Sequence, residues 1–114
     1  MVERHYVPGR GDIVWLTFMP RVGHEQAGHR PALVMSPRAY NDKTSLALLC
    51  PITSRVKSYP FEVTLPAKGK ITGVVLSDQI KSVDWRARRA EFAAQAPEKV
   101  VAEVLDKLTL LLDS

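Results

Sequence analysis

D-I-V-W-L-T-F, from Asp12 to Phe18, carries β-branched, aromatic and long aliphatic side chains at both odd and even positions. Successive side chains of a strand point to opposite faces, so a strand with one face in water alternates apolar and polar. This one does not alternate. It reads as a strand covered on both sides, and the rest of the chain has to supply two apolar layers around it.

Working outward, the flanking segments supply more strands. Pro31 to Ser36 is a second apolar run, entered through a proline at a tolerated first strand position. Ser36-Pro37 predicts an N-cap with proline at the first helical position, opening a short helical turn through Thr44. Leu46 to Thr53 resumes an extended run, and Pro51 removes one ladder donor, which predicts an edge or bulge near Thr53. Phe61, Val63 and Leu65 alternate with Glu62 and Thr64 as in a half-exposed strand, followed by the basic turn P-A-K-G-K and an extended Ile71 to Ser77. A further extended piece is expected over Val83 to Phe92. The period then changes to helical: Val100, Val101, Val104, Leu105, Leu108, Leu111 and Leu112 share one stripe after an Ala96-Pro97-Glu98 start. The fold class is mainly β with a C-terminal helix, five to seven short strands forming a small, highly curved barrel that the helix caps.

Composition sets the limits. A chain of 114 residues with 46% hydrophobic content is expected to be a single domain over 1–114. No charged-then-apolar leader and no membrane-length apolar run occurs, and the lone Cys50 allows no intramolecular disulfide, so a cytoplasmic protein away from membranes is expected. Sixteen Lys and Arg against twelve Asp and Glu give +4, a mild bias toward polyanions, but the cations are scattered.

The chemistry concentrates between the first two strands. Gly23 to Pro31 reads G-H-E-Q-A-G-H-R-P, which sets ionisable groups and a guanidinium at a strand mouth. Arg30 precedes a proline and is therefore confined to extended backbone, which fixes how it is presented. Glu25 lies within folding-back distance, and a surface Glu25–Arg30 ion pair is the plain alternative to a functional pair. Thr53 is likewise either a strand-end hydroxyl satisfying backbone or a catalytic group. His5, His24 and His29 have no Cys or carboxylate at ligand spacing, so no metal and no cofactor is expected. His24 and His29 with Cys50 offer a thiol catalytic pair in principle, but Cys50 lies on an apolar parity and reads as a small core hydrophobe; Trp15 and Trp85 read as core or interface anchors. Phosphate-binding glycine loops and the G-x-S-x-G elbow are absent.

Five segments in order, G-x-G-D-I-V-W-L-x-F at Gly9, the E-Q-A-G-H-R-P loop, C-P-I-T-S at Cys50, Y-P-F-E-V at Tyr59 and L-S-D-Q-I-K-S-V-D-W-R-A-R at Leu76, resemble the MazF/PemK family of toxin endoribonucleases. The resemblance implies an SH3-like barrel and a homodimeric toxin of a toxin–antitoxin pair. It implies cleavage of single-stranded mRNA without ribosomes or metal, growth arrest, and neutralisation by a cognate antitoxin with an acidic disordered segment. By position it implies catalytic roles for Arg30 and Thr53, with Glu25 as a third member of less settled role. RNA contacts are implied for Phe18, Gln26, His29 and Ser54. Lys57, Gln79, Lys81 and Arg86 extend that surface. The chain departs from the commoner pattern at Thr17, Met19, Arg21 and Val22, so the sequence preference of the cleavage does not carry over. Two rivals remain: a same-fold toxin that binds a topoisomerase without catalysis, against which Arg30, Thr53 and the E-Q-A-G-H-R-P loop argue, and an RNA-binding barrel that does not cut.

Overall fold

The computed structural model describes residues 5–18 and 28–113, side chains of Phe18 and Gly28 apart. Its elements run β1 (Asp12–Phe18), β2 (Gly28–Val34), α1 (Arg38–Thr44), β3 (Leu46–Thr53), β4 (Glu62–Thr64), β5 (Val74–Leu76), a 3-10 turn (Ser77–Gln79), β6 (Lys81–Asp84), β7 (Glu91–Gln95) and α2 (Glu98–Leu112). All pairings are antiparallel, in the order β4-β5-β3-β2-β1-β7, with β6 also on β3. Mainly antiparallel β with a C-terminal helix is therefore the class that the residue pattern predicts. The barrel is not closed: among the described residues the path of the sheet ends at β4 and β7 without their pairing.

β3 organises the sheet. One of its edges pairs with β2, and the other pairs first with β6 along Leu46–Leu49 and then with β5 at Ile52 and Thr53. The change of partner falls at Cys50-Pro51, where the proline offers no ladder donor. Thr53 thus ends a strand that is held on both sides.

β1 is covered on both faces, as its composition requires. Ile13 packs with Leu33, Cys50, Val63 and Val75 under Val100, Val104 and Leu108 of α2. Val14 and Leu16 point the other way, into a second layer with Ala32, Val34, Ala47, Leu49 and Trp85. Each fully buried Val, Leu or Ile among them, taken from water, stabilises the fold by about 1.5–3 kcal/mol. Trp85 closes the second layer, and its indole Nε1–H donates to the Asn41 carbonyl at 2.9 Å.

Three local expectations change. Ser36 does not cap α1: Pro37 occupies the cap position without a side-chain bond. The Ser36 hydroxyl instead donates to Asn41 Oδ1 at 2.5 Å and accepts the Leu48 amide at 2.8 Å, so it ties α1 to β3. The extended piece over Val83 to Phe92 is two strands, β6 and β7, reversed at Trp85–Ala90. No glycine or proline announces that reversal. Asp84 makes it by accepting the Ala87 amide at 3.0 Å, a bond that also holds its carboxyl below the usual range. Arg89 completes the turn with a positive φ of 52°. Finally, β5 is short, because residues 71–73 belong to the loop that precedes it.

Candidate active site

Arg30 lies on β2 opposite Leu16 of β1, and the proline after it keeps it extended. The β2–β3 ladder pairs Val34 with Leu49, Leu33 with Cys50 and Ala32 with Pro51. Continued in the same register, it sets Arg30 across from Thr53. Both line one groove of about 420 Å³ together with His29 and Ser54, walled by Trp15, Ile52, Lys70, Ile71 and Thr72. The His29 ring lies 6.2 Å from that of Trp15 at a tilt of 34°.

Thr53 Oγ1 accepts the Arg55 amide at 3.1 Å, as in the plain strand-end reading. Accepting that bond leaves its O–H to donate elsewhere, so the two readings coexist. Thr53 also lines a second groove, of about 350 Å³, with Arg55, Lys57, Tyr59, Glu62, Asp78 and Gln79. The chain doubles back there, and the Glu62 carboxylate takes the Lys57 amide at 3.1 and 3.2 Å. Two grooves therefore meet at Thr53.

The structure thus brings together Arg30, Thr53, His29, Ser54, Lys57 and Gln79. Two cations stand apart. Lys81 pairs with Leu49, and Asp84, two residues before Arg86, pairs with Leu46 at the far end of β3. At about 3.3 Å per residue these positions are roughly 13 and 23 Å from Thr53 along the strand. Arg86 stacks over Trp85 at 4.3 Å, bridges Asp42 at 3.2 Å, and lines a separate cavity of about 670 Å³ with His5, Tyr6 and Arg89. That cavity is the larger, but it holds neither Arg30 nor Thr53. Phe18 ends β1 opposite Gly28, and Glu25 and Gln26 lie outside the described residues.

Cys50 is no rival nucleophile. It is fully buried, its sulfur faces the Ser77 carbonyl at 3.9 Å, and burial pushes its thiol up to about 12. Among the described residues no group of three or more His, Cys, Asp or Glu is placed to hold a metal ion. No helix among them is long and apolar enough to cross a membrane.

A family model described as "PemK-like, MazF-like toxin of type II toxin-antitoxin system" matches residues 9–112. The chain belongs to this family. Among relatives of this family toxin, the endoribonuclease toxin MazF of Escherichia coli (strain K12) is 52% identical over 101 residues, covering 88% of this chain and 89% of the relative. The endoribonuclease PemK of Escherichia coli is 36% identical over 116 residues, covering 98% and 87%. Among solved structures, a MazE-MazF complex (Form-II) from Deinococcus radiodurans superposes with a TM-score of 0.91 at 60% identity, over 95% of this chain and 97% of that one.

Residue order alone does not single out four groove residues: Arg55, Tyr59, Lys70 and Trp15. Lys70 has a signal, the basic turn P-A-K-G-K, but its place beside Arg30 depends on a loop folding against β3.

Proposed function

We propose that this family toxin is a cytoplasmic endoribonuclease, a single domain over residues 1–114, that cleaves single-stranded mRNA and arrests growth. The observation that carries this reading is that Arg30 of β2 and Thr53 of β3 line one groove. RNA carries its own nucleophile in the 2′-hydroxyl, so transesterification needs proton transfer and stabilisation of a pentacovalent phosphorane. Arg30 offers a permanently charged fork for the nonbridging oxygens, and Thr53 a hydroxyl donor. Such preorganised charge supplies most of the rate enhancement in catalysis of this kind. Arginine stays protonated, so Glu25 or His29 moves the proton. The products are a 2′,3′-cyclic phosphate and a free 5′-hydroxyl. Phe18 and Gln26 are RNA contacts by the family resemblance alone; Lys57 and Gln79 extend the RNA path on one side of Thr53, and His29 and Ser54 on the other. Lys81 and Arg86 lie beyond it, as contacts for a longer partner.

The active species in this reading is a homodimer, supported by Leu105, Leu110, Leu111 and Leu112, which α2 leaves exposed. Restraint comes from a cognate antitoxin, as the likeness to a MazE-MazF structure supports, and an acidic disordered segment of that partner suits the basic groove. The test is an RNA oligonucleotide with a single 2′-deoxy substitution on the 5′ side of the cleavage site, incubated in EDTA. Cutting of the unmodified RNA with cyclic-phosphate ends, and no cutting at the substituted position, is expected. Undiminished cutting at the deoxy position, or an RNA that is bound but never cut, overturns the reading.

A further inference from the structure

We infer that Lys70 holds a backbone phosphate of the RNA beside the scissile one, so that the loop joining β4 to β5 is a substrate-positioning wall of the active site. The inference rests on the endoribonuclease reading above.

The loop is anchored on both sides of Lys70. Its ends are closed by the Leu65 amide donating to the Gly73 carbonyl at 2.9 Å, and its tip by the Gly69 amide donating to the Pro66 carbonyl at 3.1 Å. Ile71, the next residue, is half-buried against the core beneath α2. Gly73 has a φ of 109°, and a Cβ there would overlap the carbonyl oxygen of Thr53, a backbone atom that cannot swing aside. Only glycine permits both the conformation and the approach. The loop backbone is thereby pressed against Thr53, and Lys70 is held between a tight turn and a core anchor. Its side chain is exposed and lines the groove that contains Arg30 and Thr53.

Charge separates the two grooves. In the second, Arg55 and Lys57 face Glu62 and Asp78, which compensate them. In the first, no carboxylate is among the described lining residues, and Arg30 and Lys70 are its cations. Lys70 thus adds a second cation to the groove that already holds Arg30. The two cations differ in kind. The planar guanidinium suits bidentate hold on the reacting phosphate, whereas an ammonium on a flexible stem is a point charge suited to any neighbouring phosphate. Lys68 is the internal comparison: the same charge, in the same turn, equally exposed, but outside the groove.

The experiment compares the full chain with Lys70→Ala, Lys70→Arg and Lys68→Ala, each checked for an unchanged melting temperature. Binding of a single-stranded 2′-O-methyl oligonucleotide, which cannot be cleaved, is titrated across salt concentrations. Losing one phosphate contact to a single strand lowers the slope of log affinity against log salt by about 0.7. Lys70→Ala is expected to lose that increment and to raise KM for cleavable RNA roughly three- to tenfold at unchanged kcat. Lys70→Arg keeps both, and Lys68→Ala keeps the slope. Equal slopes for Lys70→Ala and Lys68→Ala overturn the inference, as does a fall in kcat at constant KM. Wild-type protein that binds but never cleaves defeats the endoribonuclease reading instead, and the slope comparison still decides Lys70.

Discussion

Arg30 and Thr53 are ordinary surface groups until the β2–β3 register sets them across from one another, and the predictions at this scale follow from their different chemistry. Arg30→Ala removes the charge facing the phosphorane and is expected to cost about 3–4 kcal/mol, a hundredfold or more in single-turnover rate. Thr53→Ala removes a neutral donor and is expected to cost less, with Thr53→Ser recovering most of the loss. A Thr53→Ala rate equal to wild type would return Thr53 to its plain role as acceptor of the Arg55 amide. Cys50 makes a prediction of another kind. Its thiol ordinarily ionises near 9.0 and is raised to about 12 in the fold. A raised value means that the folded state holds its proton where the unfolded chain has lost it. The stabilisation is complete below pH 9 and is lost as pH rises toward 12. At about pH 8, below the ordinary thiol range, Cys50 should resist iodoacetamide in the native protein and react in urea; equal rates would contradict its burial.

Among the elements, α2 has two jobs on two faces. Val100, Val104 and Leu108 are buried in the core, and Leu108→Ala is expected to cost about 2–5 kcal/mol, read as a lowered denaturant midpoint. Leu110 and Leu112 are 67% and 85% exposed, so burial in the monomer does not explain them. Changing both to Ser should leave monomer stability nearly untouched and dissociate the proposed homodimer by light scattering. A monomeric wild type at micromolar concentration would remove that role. The β4–β5 loop is the other telling element, since Gly73→Ala must push it off Thr53. Rate and stability should fall together there, by more than about 1 kcal/mol in stability.

For the whole molecule the charge is +4, but its placement matters more than its sum. Arg30 and Lys70 share one groove, while Arg86 pairs with Asp42 at the other end of β3. An acidic antitoxin segment should therefore compete with RNA for the first groove, with an affinity that falls as salt is added. Salt-independent binding would mean that an apolar surface, such as the exposed leucines of α2, holds the partner.

Strand and helix periods are local properties, so Asp12–Phe18, Leu46–Thr53 and the C-terminal helix were legible from residue order alone. The ordered motifs were legible too, because five segments in sequence need no coordinates. The E-Q-A-G-H-R-P loop named Arg30, and P-I-T-S named Thr53. What residue order left undecided is long-range. It does not show that β3 changes partner at Cys50-Pro51, since that pairing joins residues far apart in the chain. For the same reason Arg86 looked equivalent to Lys57 in the chain. The loop after β3 doubles back to put Lys57 beside Thr53, and register puts Arg86 at the other end of β3. Which cations share a field is settled by strand pairing, because electrostatic interaction depends on distance in space and not on separation along the chain.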